Sequence, residues 1–379
     1  MRRQLKVHSS QDLIGIGIGI VIDKGRNMTN KGRRLKEVKA EQNAKRRRAK
    51  RRKRAMFLMI EMFVLCVLLM IAYCLVTYGK IDIDILKDNF FQKQETSQAG
   101  YMTVALFGGD SREGKLEAGT HADTIMIASI DENSNEVRIV SVYRDMLSRQ
   151  ANGELKKANN GYYVGGPETA IQMLNENLDL SIQNYVTVNF SAVAEAVDQL
   201  GGIDVELSEA EATELNHYLE ETKQVTGKEA DSVTAGSQHL NGVQTVTYAR
   251  IRHNVGGDYA RTDRQRLVVE KLLQKAKDAN VIELGILAKD LFPQVSTDFS
   301  LKNIIKLATR VSKYSIVGTS GYPFELTDGT IAGIGSVVIP LGHTENVQEL
   351  HQFLYPKNEY LLSDTVKDIA AQMKSVAGY

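Results

Sequence analysis

A run of almost unbroken positive charge leads directly into a long apolar stretch, and this junction divides the chain. From Lys45 to Arg54 every residue except Ala49 is basic, and residues 55–78 are then apolar almost throughout, with Glu61 the one charge. Twenty-four helical residues rise by about 36 Å, enough to cross a hydrocarbon core of about 30 Å. A cleaved signal peptide has a shorter apolar run followed by a small-residue cleavage site, and the flank after Val76 offers no such site. The stretch therefore reads as an uncleaved signal anchor. The basic block orients it, leaving residues 1–54 as a basic cytoplasmic tail and residues 79–379 outside the cell membrane. A carboxylate in hydrocarbon is costly, so Glu61 is expected to snorkel toward the cytoplasmic end, take a proton or pair with a neighbouring helix.

The net charge of +1 conceals this division, because residues 1–78 hold 19 Lys and Arg against 5 Asp and Glu, leaving 28 and 41 for residues 79–379. A basic block abutting a membrane span is explained by topology and anionic lipid, so nucleic acid is not an expected partner. Both cysteines, Cys66 and Cys74, fall inside the apolar stretch. The outer part thus has neither disulfides nor thiolate metal ligands and must be stabilised by its core.

Residues 79–100 read as a short stalk, and from Tyr101 the pattern becomes α/β. Apolar, β-branched runs at 102–107, 124–130, 137–143 and 185–190 have the length of strands, with a turn at 133–135. Helical spacing appears at 168–177, where Pro167 suits a first turn, and at 191–200, stopped by Gly201-Gly202. It recurs at 261–276 and 300–314. This alternation predicts a mixed central sheet covered by helices, with a core at 101–276 and a C-terminal part at 277–379.

Several charged residues fall at the expected ends of these elements. Asp110 follows the first strand and Asp123 precedes the second, so antiparallel pairing would set both carboxylates at one sheet edge, an arrangement suited to Mg²⁺ with ligand phosphates. Arg144-Asp145 ends the third strand. Arg250 and Arg252 share a face if 248–252 is extended, whereas a helix would separate them. Arg261 and Gln265 lie one turn apart at a helix start. Gathered guanidinium groups repel by roughly 1–4 kcal/mol per close pair, so their convergence calls for an anion, and a phosphate matches the arginine fork. The loop from Gly109 to Lys115 imitates a P-loop, but Leu116 stands where a Ser or Thr would hold Mg²⁺, and Gly119 argues against a following helix.

The strings LFGGDSR, HADTIMIASI, VSVYRDM, VNFSAVAEAVDQLGGIDVEL, LNGVQTVTYARIR and DYARTDRQRLVV occur in the order and spacing of the LytR-CpsA-Psr family, which this chain resembles strongly over 101–276. The resemblance is weaker beyond, through PFELTDGT and ENVQELHQFLY. It implies an enzyme that moves a glycosyl phosphate polymer from a polyprenyl-pyrophosphate carrier to a peptidoglycan hydroxyl with Mg²⁺, as in teichoic acid or capsule attachment. Position by position, it implies metal-site roles for Asp110 and Asp123. Pyrophosphate binding is implied for Arg144, Arg250, Arg252, Arg261 and Gln265, with Arg144 and Arg252 also acting in catalysis. Two positions depart from the family pattern: His121 replaces the usual arginine beside the pyrophosphate, and Tyr143 replaces the usual proline before Arg144. An apolar groove for the lipid is expected along 192–200 and 267–273. The competing classes are a membrane-bound transcriptional regulator or attenuator and a noncatalytic receptor for lipid-linked glycans.

Overall fold

The computed structural model of the chain describes residues 98–109, 116–300, 303–304, 307 and 310–378. The expected tail and span at 1–78, the stalk up to residue 97, Asp110 and the rest of the P-loop-like segment through Lys115 lie outside the described residues. The strands are β1 (Tyr101–Gly109), β2 (Ala122–Asp131), β3 (Glu136–Val142), β4 (Leu147–Arg149), β5 (Leu155–Lys157), β6 (Asn184–Val188), β7 (Ile203–Leu207), β8 (Gly236–Leu240), β9 (Val295–Thr297), β10 (Ser315–Tyr322), β11 (Leu326–Ile331) and β12 (Gly335–Pro340). The described α-helices are α1 (Asn159–Leu178), α2 (Phe190–Gln199), α3 (Glu209–Thr226), α4 (Gly242–Arg250), α5 (Gly257–Asp278), α6 (Val281–Leu291), α7 (His343–Leu354) and α8 (Asp364–Ala377).

Six strands form the central sheet in the order β10-β3-β2-β1-β6-β9. β2 runs antiparallel to β1 and β3, while β6 is parallel to β1 and β10 parallel to β3, so the sheet is mixed, as the strand and helix alternation predicts. This arrangement brings the carboxyl ends of β1, β3, β6 and β10 and the start of β2 to one edge. In open α/β sheets that is the edge where ligands gather.

The two sheet faces are buried differently because side chains alternate along each strand. Phe107, Ile125, Ile127, Val140 and Val142 pack with Tyr162, Met173 and Leu174 of α1 and with α7 and α8 in the largest core cluster. Met126, Ala128, Val137 and Ile139 point to the other face, toward Val269 of α5. A separate cluster joins β7 and β8 to α3, α4 and α5.

Two expected elements need correction. Residues 248–252 are not extended: α4 runs through Arg250 and ends at Ile251. Asn241 and Gln244 form a capping box that fixes the helix start, and Gly242 lets α4 approach α2 so closely that an added Cβ would strike the Ala194 backbone. The helix expected at 168–177 extends back to Asn159, with a kink at Gly165-Gly166 just before Pro167. In the segment expected as a helix at 300–314, the described residues 303, 304, 307 and 310 are helical and a 3-10 turn, Val311–Lys313, follows.

α7 is fastened to the end of α1 by two buried histidines. Nε2 of His343 lies 3.0 Å from the Asn177 carbonyl and Nε2 of His351 lies 2.9 Å from the Leu178 carbonyl, so each ring donates to a helix-terminal acceptor. His343 is 4% exposed, and its Nδ1 has no partner. Burial pushes the His343 pKa down from 6.5 to about 4 and also lowers that of His351. Between these values the unfolded chain binds more protons than the folded one, so folding stability is full above about pH 6.5 and falls as the pH drops toward 4. The His343 share is on the order of 3 kcal/mol. Thermal melts from pH 7.5 to 4 should show this decline, and His343→Gln, which retains an amide donor, should be less stable at neutral pH but lose less on acidification.

Candidate active site

Asp123 owes its position to an irregularity in strand pairing. Gly108 pairs with Thr124 and Gly109 with Ala122, so Asp123 is the extra residue of a bulge and has no residue opposite it. Bulges re-aim side chains and recur beside active sites. An Asp123 oxygen accepts from Arg144 at 2.6 Å. Arg144, just past β3, also lies 3.6 Å from Asp145 and 3.7 Å from Asp258. Asp145 is shared in turn by Lys157 at the end of β5, 2.9 Å away.

Asp258, in the first turn of α5, is the meeting point of the arginines. Its Oδ1 is 2.9 Å from Arg261, 3.6 Å from Arg252 and 3.7 Å from Arg144. Three guanidinium groups thus face one carboxylate oxygen. Burial opposes the charge on Arg144, but Asp123, Asp145 and Asp258 outweigh it and raise the pKa. For Arg261 the balance goes the other way: burial, followed by the nearby charge of Arg144, lowers it. Arg261 is 4% exposed and its Nε makes no hydrogen bond, and neither does the buried Nε of Arg144, whose ion-pair partner Asp145 is 3.6 Å away. Buried donors left unpaired are costly in a folded protein, and a ligand oxyanion would satisfy them.

Arg264 holds this arrangement without pointing into it. Its guanidinium donates to the Ile251 and Val255 carbonyls, at both ends of the loop carrying Arg252, and to Glu211 of α3. Sequence reasoning missed Arg264, Lys157 and Asp258. For Arg264 the available signal was its position one turn beyond Arg261 on a helix face already marked by charge.

Arg250 and Gln265 belong to a second feature. Arg250 does not join Arg252, because the helix directs it to Glu221 and Thr222 of α3, both at 3.0 Å, and over the Phe190 ring at 4.6 Å. Both residues line an apolar pocket of about 270 Å³ on the second face of the sheet. Its floor is formed by Leu106, Gly108, Thr124, Met126, Val186 and Val188, alternate residues of β1, β2 and β6. Ala192, Val193 and Ala196 of α2 and Val268, Val269 and Leu272 of α5 form its walls, so both segments expected to make a groove line the same pocket. Gly108, Ala192, Ala196 and Ala249 are the small residues among a lining that also holds Phe190 and Leu272. At Gly108 even a Cβ would press on Thr124 at 2.9 Å. Gln265, one turn beyond Arg261, and Thr124, next to Asp123, connect the polar cluster with the pocket.

The departures from the family pattern have local partners. His121 is exposed and stacks on Tyr163, with centroids 4.5 Å apart. Tyr143 packs edge-on against Tyr259 at 4.8 Å, and its N–H donates to the Tyr322 carbonyl at 3.1 Å, a bond that proline could not make.

Fold and site together define a mixed-sheet α/β domain with an arginine cluster gathered on Asp258 beside an apolar pocket. The LytR_cpsA_psr family model matches residues 72–351, and the chain belongs to that family. It is 29% identical over 210 residues to TagU of Enterococcus faecalis, a polyisoprenyl-teichoic acid–peptidoglycan teichoic acid transferase, covering 54% of this chain and 64% of the relative. TagU of Halalkalibacterium halodurans is 29% identical over 257 residues, covering 65% and 76%. The chain therefore spans a little under two thirds of the first relative's length. The solved structure of TagT bound to LIIa-WTA shares the fold, with a TM-score of 0.55, 18% identity and coverage of 73% of this chain and 98% of that one.

If Asp258 occupies the arginines in place of a ligand, Asp258→Asn should bind inorganic pyrophosphate roughly two- to fivefold more tightly, the scale of a partly exposed ion pair. The same variant should melt lower without ligand, and titration calorimetry with paired melts reads both effects.

Proposed function

We propose that this chain is a membrane-anchored phosphotransferase that moves a glycosyl phosphate polymer from a polyprenyl-pyrophosphate carrier to a peptidoglycan hydroxyl outside the cell. The observation that carries this reading is the convergence of Arg144, Arg252 and Arg261 on one carboxylate oxygen, with two buried Nε donors making no hydrogen bond, beside an apolar pocket. A pyrophosphate joined to a prenyl chain has the same two parts. Family membership and relatives named as teichoic acid transferases support the reaction class.

In this reading Arg144, Arg252 and Arg261 bind the pyrophosphate oxygens, Gln265 and Arg250 stand where it joins the lipid, and the prenyl chain enters the pocket. Each buried CH₂ contributes about 0.8 kcal/mol, so even part of the chain adds substantial affinity. An acceptor hydroxyl attacks the phosphorus bearing the glycan, the bridging P–O bond breaks, and polyprenyl phosphate leaves with the electron pair. The arginines neutralise the negative charge that grows on the departing oxygen. The hydroxyl proton passes to a carboxylate of the site, with Asp123 and Asp110 the candidates.

The hard oxygen donors at this edge suit Mg²⁺, and Asp123 with Asp110 would hold it. Asp123 is partly exposed at the bulge, consistent with such a ligand, although Arg144 already engages one of its oxygens. When bound, the ion would supply charge neutralisation at the phosphates. His121 would lie beside the pyrophosphate.

The test is transfer by the full chain in vesicles supplied with polyprenyl-pyrophosphate-linked glycan, a peptidoglycan oligomer and Mg²⁺, with the phosphodiester-linked product detected by mass spectrometry. Arg252→Ala should leave the fold intact, weaken donor binding and lower saturated transfer by about 10²–10³, the cost of losing one preorganised donor. Asp123→Ala should show a comparable loss, rescued only in part by excess Mg²⁺. Donor binding without turnover in the unaltered chain would instead support a receptor.

A further inference from the structure

His121 and Tyr163 form an exposed aromatic stack on the side of the sheet opposite the apolar pocket. Their rings are 13° from parallel with centroids 4.5 Å apart, and Tyr163 is 44% exposed. Tyr162 explains why Tyr163 faces solvent: it is fully buried, its hydroxyl bonding the Leu116 carbonyl at 2.6 Å and the Thr187 hydroxyl at 3.2 Å, and the next helical residue is turned by about 100°. Thr187 lies between Val186 and Val188, which line the pocket, so α1 and the pocket occupy opposite faces of β6. The stack is held in place, because the Tyr163 carbonyl accepts from the Gly119 N–H at 2.8 Å and the loop before His121 is thus tied to α1 at both Leu116 and Gly119. Neither the Tyr163 hydroxyl nor the His121 imidazole makes a hydrogen bond among the described residues. Two connections set the stack beside the arginines: His121 is two residues before the bulged Asp123, and Asn159, which opens α1, donates to the Arg144 carbonyl at 3.0 Å.

We propose that the Tyr163–His121 stack is a sugar subsite that receives the pyranose joined to the donor pyrophosphate. The inference deepens the proposed function and rests on its reading of the arginine cluster as the pyrophosphate site. A prenyl-pyrophosphoryl sugar carries its lipid and its sugar on opposite ends of the anion. Here the arginines at the sheet edge have the pocket on one face and the stack on the other. Of the ligand's three parts, the sugar is the one that cluster and pocket leave unplaced, and this continuity selects it as the occupant. The chemistry matches: the negative π-face of an aromatic ring attracts the polarised C–H bonds on one side of a pyranose, while the sugar hydroxyls reach the Tyr163 hydroxyl and the His121 nitrogens. A stack already fixed by its backbone ties receives such a ring with little loss of side-chain freedom.

The test titrates the methyl, glucosyl and N-acetylglucosaminyl esters of farnesyl pyrophosphate, which carry equal charge, into the full chain in detergent with Mg²⁺ present. At least one sugar ester should bind about three- to tenfold more tightly than the methyl ester, the scale of one well-packed ring contact. Tyr163→Ala and Tyr163→Leu should abolish that gain and leave methyl-ester affinity unchanged, whereas Tyr163→Phe should keep most of it, with melts confirming the fold of each variant. Equal affinities for all three esters in the unaltered chain overturn the proposal, and so does a loss in Tyr163→Ala shared equally by all three. A higher acceptor KM in Tyr163→Ala with donor affinities unchanged assigns the stack to the peptidoglycan acceptor and also overturns it. No binding of any ester overturns the pyrophosphate reading of the cluster and this proposal with it. Binding needs no turnover: a sugar gain that depends on Tyr163 in a chain that transfers nothing overturns only the transferase reading, and transfer with affinities indifferent to the sugar overturns only this proposal.

Discussion

The electrostatic balance around Asp258 is the interaction on which the site depends. A single half-exposed carboxylate oxygen faces three guanidinium groups, one of them almost fully buried. Without that oxygen or an equivalent anion, the cluster would repel itself. The surrounding structure fixes the cluster in place: Arg144 is tied to the bulged Asp123, Arg252 sits on a loop clamped by Arg264, and Arg261 is fixed by the helix that carries Asp258. The charge is therefore preorganised, with little movement needed to receive an anion.

The apolar pocket follows from the same sheet. Its floor alternates with residues that build the main core on the opposite face, so one set of strands supports both a packed interior and an open cavity. Gly108, Ala192 and Ala196 are among the small residues of its lining. Thr124 and Gln265 then place its mouth next to the arginines, so under the proposed function lipid and phosphate would share one surface.

Much of this was legible in the residues. The first three strands, the sheet class and the one-turn spacing of Arg261 and Gln265 follow from periodicity, because burial on one face imposes it. The α4 segment was harder: Thr245, Val246, Thr247 and Tyr248 have strand composition, but the capping box and the close approach of Gly242 to α2 impose a helix. The Asn241 and Gln244 spacing was the local signal for it. Asn152-Gly153 likewise marked the hairpin carrying Lys157, whereas the bulge at Asp123 arises from strand register and has no signature of its own. Asp258 was hidden because an aspartate after two glycines reads as a turn, and only the folded chain brings three arginines to it.

The central claim is that arginine cluster and pocket form one binding surface for a lipid pyrophosphate. Calorimetric comparison of farnesyl pyrophosphate with inorganic pyrophosphate, each titrated into the full chain, tests it most directly. The account predicts at least tenfold tighter binding of the prenylated ligand, since several apolar carbons enter the pocket while the arginines hold the same anion. Equal affinities for the two ligands would contradict it, separating the cluster from the pocket.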